Sequence, residues 1–172
     1  MSERPAATFP GPVRQVGHLV TDLDAAMTAW LALGVGPWTA IEARNRGQFR
    51  GQPSDATTRI GFANVGPMQI ELIEATGQAH SIWHRDRDRG RFGPHHIAYW
   101  TDDYDATTAA GLSGGLTLAQ VGDGNGLTRF AYFEGPTGQL IEIMELNELV
   151  SAFMDGIRAS SEDWDGSDPI RR

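Results

Sequence analysis

The sequence predicts an α+β fold in which two tandem βαβββ modules pair around a cleft, followed by a C-terminal helix and tail. The first observation behind this is an internal repeat. QVGHLVTDLDAA (15–26) matches HIAYWTDDYDAT (96–107), and GPMQIELIEA (66–75) matches TGQLIEIMEL (137–146). The second is order. TRIGFAN (58–64) and TRFAYFE (128–134) fall between those matches in both halves, so three similarities recur in one sequence. The third is length, because 172 residues suit one compact domain or two small fused modules.

Each element has a local cause. Residues 1–12 are a polar, Pro-rich arm. The first module spans 13–75. It opens with an apolar, β-branched strand over 13–20. Asp22 or Asp24 caps a helix over 23–33, which Gly34 and Gly36 stop. A strand over 38–43 follows, then a long loop from Arg44 to Asp55 carrying three arginines around Phe49, read as an entrance lid or subunit contact. A hairpin over 57–64 and 68–75 turns at Val65-Gly66-Pro67. Residues 76–94 form a linker. Its HRDRDRGR segment (84–91) alternates charge without an apolar face and reads as solvated, with a substrate-facing Arg patch as the alternative. The second module, 95–146, repeats the pattern: a strand at 95–101, a helix at 104–112, a strand near 116–121 and a hairpin about Gly135-Pro136. In the segment 147–172, Leu149, Val150, Phe153, Met154 and Ile157 recur at helical spacing. That predicts a helix on the body or on a second subunit, then a loosely ordered tail that Trp164 has the area to anchor.

Composition excludes several functions. A net charge of −8 argues against nucleic acid and anionic membranes as partners, and no apolar run is long enough to span a bilayer. The arm lacks the apolar core of an export signal, so a cytoplasmic protein is expected. Without cysteine there is no disulfide, thiolate site or Cys nucleophile. All fourteen basic residues are arginine, so a lysine Schiff base is impossible as well.

The repeat also carries the candidate chemistry. Gln15 and His96 are the polar residues of the matched first strands. Glu71 and Glu142 sit mid-strand between apolar neighbours on the matched fourth strands. A buried charge there is costly unless it is paired or binds a metal. A pseudo-two-fold pairing brings Gln15, Glu71, His96 and Glu142 together in a metal-containing cleft. With one imidazole, two carboxylates and an amide, the site suits one divalent ion such as Zn, Ni, Co, Mn or Mg. Arg59 and Arg129 hold matched positions on the third strands. They read either as a bidentate grip on a substrate anion or as salt bridges to strand carboxylates. Trp38 is a candidate pocket wall or core residue. His18 and His95 are expected to point away from the cluster, because neighbours along a strand alternate faces.

VGHLVTDLDAAMTAW, MQIELIEA, GPHHIAYWTDDYDA and GQLIEIMEL together resemble the vicinal-oxygen-chelate superfamily. That superfamily includes glyoxalase I, methylmalonyl-CoA epimerase, extradiol dioxygenases and bleomycin- or fosfomycin-resistance proteins. GPHHIA and IELIE are closest to the epimerase-like branch, where the second His of the pair, here His96, is the ligand. That branch has His where this chain has Gln15, whereas Gln-Glu-His-Glu is similar to the zinc form of glyoxalase I. The resemblance implies a metal-dependent isomerase or lyase acting by proton transfer next to a carbonyl. Glu142 is the implied proton shuttle and Glu71 the second candidate. It implies a small-molecule substrate and a homodimer. A non-catalytic binding or resistance protein is the alternative reading, and a ring-cleaving dioxygenase the third. The ligand set lacks the two-His, one-carboxylate triad of non-haem iron oxygenases.

Overall fold

A computed structural model describes Thr8, Phe9 and residues 11–172. Most of the N-terminal arm therefore lies outside the described residues. Phe9 does not behave as part of a polar arm, because it is buried against Tyr99 and Phe133.

The first module contains β1 (Gln15–Leu19), α1 (Leu23–Leu31), β2 (Trp38–Phe49), β3 (Gln52–Val65) and β4 (Met68–Thr76). A helix α2 (Ile82–Asp88) leads into β5 (Gly93–Thr101), α3 (Tyr104–Ser113), β6 (Thr117–Gly124), β7 (Thr128–Glu134) and β8 (Leu140–Glu145). α4 (Glu148–Ser161) and a short β9 (Ile170–Arg171) complete the chain. The repeat shows in the caps. Asp22 accepts from the Ala25 amide at the start of α1, and Asp103 accepts from the Ala106 amide at the start of α3.

β1 pairs in parallel with β4 and β5 in parallel with β8, and the modules join where β1 and β5 run antiparallel. The sheet order is β3-β4-β1-β5-β8-β7-β6-β2-β9, and β2 also pairs with β3. Eight strands therefore close into a barrel, which removes their edges. Closure depends on the segment expected to be a loop. Arg44 to Asp55 is instead the distal half of a long β2–β3 hairpin, and Asn45–Phe49 zips onto Gln120–Gly124 of β6. Gly47 faces Gly122 in that seam. A Cβ on Gly47 would lie 2.0 Å from the Val121 carbonyl oxygen, so here glycine permits backbone approach rather than a turn.

α1 and α3 cover the outside of the barrel. Leu23 and Met27 of α1 pack on Trp38, Ala63, Ile70 and Leu72, while Tyr104 of α3 packs on Ala131, Phe133, Ile141 and Ile143. Inside, α2 closes one region with Ile82 and Trp83 against Leu19, Ile73, Tyr132 and Leu140. α4 crosses another with Val150, Met154 and Ile157 against Phe62 and Met144.

Two further expectations are corrected here. HRDRDRGR is not a solvated linker, since Trp83, His84 and Asp86 are buried in α2. Nor is the tail loose. β9 pairs with Trp38 and Thr39, and a Cβ on Gly36 would stand 3.0 Å from the Trp164 ring, so Trp164 does anchor the end of the chain. No helix among the described residues is long and apolar enough to cross a membrane.

Candidate metal centre

Strand alternation sorts the candidates by face. Gln15, Gly17 and Leu19 of β1 point into the barrel, as do Glu71, His96 and Glu142. The register makes Gly17 the partner of both Glu71 and His96, and Ala98 the partner of both Gln15 and Glu142. Two small residues at the module junction thus leave space for the larger side chains beside them.

Glu71, His96 and Glu142 converge, with one ligand atom from each lying within 4.8 Å of the others. His96 Nε2 is 3.3 Å from Glu71 Oε2 and 3.1 Å from Glu142 Oε2. All three residues are buried. These are ion-pair distances, yet neither His96 Nε2 nor Glu71 Oε2 has an aligned hydrogen-bond partner. Gln15 is also buried. Its Nε2 donates to Gln69 Oε1 at 2.7 Å, which leaves its own Oε1 without a partner. Buried polar atoms are nearly always satisfied. Three orphaned donor atoms on one interior face therefore fit a divalent ion, and an amide, an imidazole and two carboxylates are a suitable set.

The electrostatics point the same way. Burial raises the Glu71 carboxyl, an effect that His96 opposes and Glu142 adds to. Burial on its own would depress His96, but Glu142 and Glu71 outweigh it and hold the imidazolium up to about 9. In the metal-free protein a proton therefore occupies the place of the cation. His96 has its folded value above its unfolded one, so it stabilises the fold fully below about pH 6.5, and that stabilisation is lost as pH rises through about 9. His18, His84 and His95 are depressed, mainly by burial, and act in the opposite sense only below pH 6.5. The metal-free protein should thus show a falling Tm between pH 6.5 and 9. Over the same window its apparent Zn affinity should rise roughly tenfold per pH unit as one proton is released. Differential scanning calorimetry with chelator, paired with Zn titrations at each pH, checks both slopes.

His95 departs from its expected place. β5 carries a bulge against β1, with His96 opposite Gly17 and Pro94 opposite His18. His95 is the extra residue, so strand alternation does not govern its direction. Its Nδ1 lies 3.1 Å from His96 Nδ1, and its Nε2 lies 3.4 Å from Asp86 Oδ2. Arg85 grips Asp86 with two bonds of 2.9 and 2.8 Å. Burial would raise the Asp86 carboxyl, but His95 and Arg85 together hold it well below the ordinary carboxylate range. An ionised Asp86 favours hydrogen on His95 Nε2. That leaves His95 Nδ1 to accept from His96 Nδ1, so that when His96 gives up its second proton it is Nε2 that faces the cluster with a lone pair. His18, by contrast, sits on the helix side against Trp30.

The structure does not bring Arg59, Arg129 or Trp38 to this cluster. Arg59 lies on the outer face, paired with Asp24 at 2.7 Å and Glu74 at 2.8 Å. Arg129 repeats the arrangement with Asp105 at 3.0 Å and Glu145 at 2.6 Å. The duplicated arginines tie each outer helix to its sheet and have no free fork for a substrate. Trp38 is core, packed under α1. Tyr132 is the site residue the sequence concealed. It is the register partner of Glu142, and its ring lies 5.1 Å from the His96 ring. Burial and the nearby carboxylates push its hydroxyl well above the usual phenol value, so it stays protonated.

A closed barrel of paired βαβββ modules with interior carboxylates and one imidazole is a recognisable architecture. The family model described as Glyoxalase/Bleomycin resistance protein/Dioxygenase superfamily matches residues 14–132, and the chain belongs to that superfamily. The match contains Gln15, Glu71 and His96 and ends before Glu142. Among solved structures, the chain is similar to a hypothetical protein from Bacillus halodurans C-125 (TM-score 0.59, 18% identity, 80% of this chain and 95% of that one). It is also similar to methylmalonyl-CoA epimerase from Mycobacterium tuberculosis (0.57, 22%, 87% and 97%). A third is a Streptomyces coelicolor methylmalonyl-CoA epimerase variant in complex with 2-nitronate-propionyl-CoA (0.53, 20%, 80% and 95%). At these identities the likeness is one of fold. Comparison with curated protein sequences finds no significant match.

Proposed function

We propose that this protein is a divalent-metal-dependent isomerase or lyase that moves a proton next to a carbonyl. The observation that carries this reading is the buried Glu71–His96–Glu142 convergence with its unpartnered donor atoms, open to a cavity of about 130 Å³. Glu71, His96 and Glu142 would hold the ion, with Gln15 Oε1 as the fourth donor. When bound, such an ion is a Lewis acid that lowers the cost of negative charge on adjacent substrate oxygens.

The remaining work falls to the chain. Glu71 and Glu142 both line the cavity, and Glu142, the register partner of Tyr132, is the carboxylate assigned to take a proton from the carbon beside the carbonyl, with Glu71 second. The C–H bond breaks and the proton passes to a Glu142 oxygen. The electron pair moves into a carbon–carbon double bond, leaving the charge on the carbonyl oxygen. Returning the proton to the other face of the same carbon inverts that centre. Returning it to the former carbonyl carbon, while the adjacent hydroxyl gives its proton to the enolate oxygen and becomes the new carbonyl, completes an isomerisation. Tyr132 remains a hydroxyl donor beside this carboxylate. Apolar walls exclude water, which strengthens each of these interactions. The single imidazole in the cluster disfavours iron-dependent ring cleavage.

The test is deuterium wash-in from D₂O at the α-carbon of a panel of hydroxyketones, with Zn-, Ni-, Co- or Mn-loaded protein. Glu142→Gln, compared at matched metal content, should slow exchange by roughly 10²–10⁴-fold. Failure of the purified protein to take up any of these ions would overturn the reading, as would unchanged exchange in the variant.

A further inference from the structure

The cavity above the cluster has an uneven chemistry. Its walls are Ile41, Ile60, Phe62, Phe130, Met144 and Phe153 among other apolar side chains, and no arginine among the described residues lines it. The chain offers no lysine to supply a cation instead. Among the neutral polar groups at the lining, the Trp83 Nε1 donor has no partner and Tyr132 keeps its hydroxyl, while the two asparagines and the threonine are already engaged. Asn45 Nδ2 donates to Thr58 Oγ1 at 3.0 Å. Asn125 Oδ1 accepts from the Arg44 amide at 2.8 Å, and its Nδ2 donates to the Glu42 carbonyl at 3.3 Å. Thr128 Oγ1 donates to the Glu145 carbonyl at 2.7 Å. The nearby cations are engaged too, Arg44 with Asp55 at 2.6 Å and Arg129 with Asp105 and Glu145.

A substrate carboxylate or phosphate entering this space would meet two buried carboxylates whose one positive neighbour, the His96 imidazolium, is already paired with both, and no lining cation among the described residues. Desolvating an anion without a partner is strongly unfavourable. Size acts in the same direction. The cavity, at about 130 Å³, is below the roughly 300–1,000 Å³ of drug-sized pockets. α4 crosses its mouth through Val150, Phe153 and Met154, with the Phe153 ring edge-on to Phe62 at 6.1 Å. A nucleotide thioester arm is far larger than this space and would find no cation among the lining residues.

We propose that the site takes a compact, uncharged carbonyl compound with an apolar body and an adjacent oxygen, and discriminates against carboxylates and coenzyme-A thioesters. This deepens the proton-transfer reading and rests on it for the two-oxygen requirement. The selectivity itself comes from the walls.

Binding to metal-free and Zn-loaded protein is followed by tryptophan fluorescence, since Trp83 lines the cavity. The probes are 2-hydroxyacetophenone, mandelate (nearly the same size, but an anion) and methylmalonyl-CoA. Saturable binding of 2-hydroxyacetophenone is expected, at least tenfold tighter than either anion in the metal-free protein. Phe153 is 38% exposed, so an arginine there can reach water without disturbing the fold. Phe153→Arg should bring mandelate to within about threefold of 2-hydroxyacetophenone. Mandelate or methylmalonyl-CoA binding as tightly as the neutral ketone in wild-type protein would overturn the inference. So would a lack of saturable binding by 2-hydroxyacetophenone. A protein that takes no Zn but keeps the neutral-over-anion preference would sink the metal-dependent function and leave this inference standing.

Discussion

Gly17→Ala is expected to weaken Zn binding on the order of a hundredfold or more, by displacing a ligand it never touches covalently. It should also destabilise the metal-free fold by about 1–3 kcal/mol, the usual cost of overpacking. A Cβ on Gly17 would stand 2.0 Å from His96 Cε1, 2.4 Å from Nδ1 and 2.5 Å from Nε2. The His96 ring lies across the bare backbone of β1, and no real contact is that short. The ring cannot step aside. The Tyr132 ring is 5.1 Å away on edge, His95 Nδ1 is 3.1 Å from its Nδ1, and Glu71 and Glu142 flank its Nε2. A double-mutant cycle separates this clash from a general intolerance of alanine in β1. In a His96→Ala background the new methyl would occupy vacated space, and the stability cost of Gly17→Ala should largely disappear. An equal cost in both backgrounds, measured by urea denaturation, would refute the steric explanation.

Gly17 also shows what the sequence disclosed and what it withheld. The repeat fixed which strands are equivalent, and strand alternation put Gln15, Glu71, His96 and Glu142 on one face. Those rules are local, and the structure places all four inside the barrel. Gly17 carries no signal of its role in the sequence, because the reason for it is the His96 ring on β5, far along the chain. Tyr132 was hidden similarly. In FAYF, alternation alone does not separate an aromatic beside a carboxylate cluster from one in plain core. Arg44–Asp55 reads as a loop because Gly47 and Pro53 imitate turn signals on either side of the true turn at Arg50-Gly51, whereas Gly47 is needed for the closing seam with Gly122. HRDRDRGR was misread because charge alternation is normally a solvated pattern. Asp86 is buried only because Arg85 and His95 neutralise it from two directions. Of the two readings of the matched arginines, the structure shows the salt bridges, since the duplication copied an Asp–Arg–Glu clamp.

The Asp86–His95 pair gives the second large effect, and its two members should fail differently. Asp86 is buried, held by both Arg85 bonds, 3.4 Å from His95 Nε2 and 3.7 Å from Arg91 Nη1. Asp86→Ala strands a largely buried guanidinium, whose remaining carboxylate partner is Glu134. Breaking a buried ion pair from one side costs about 3–5 kcal/mol, so this variant is expected to lose much of its fold stability. His95→Ala leaves the Asp86–Arg85 pair in place and should unfold at nearly the wild-type urea concentration. Its loss should appear in the metal instead. Without an acceptor at His96 Nδ1, the imidazole is no longer held in the tautomer that presents Nε2, and Zn affinity should fall roughly 10–100-fold. His95→Gln, whose amide can accept from His96 and donate to Asp86, should recover part of that loss. Chelator competition gives the affinities, and long-range ¹H–¹⁵N spectra of labelled imidazoles give the tautomer. In metal-free protein above about pH 9, where His96 is neutral, wild type should show one His96 form with hydrogen on Nδ1, and His95→Ala a mixture. If His95→Ala bound Zn as tightly as wild type with an unchanged tautomer, His95 would be only a packing residue. The orientation of His96 would then rest on Gly17 and Tyr132 alone.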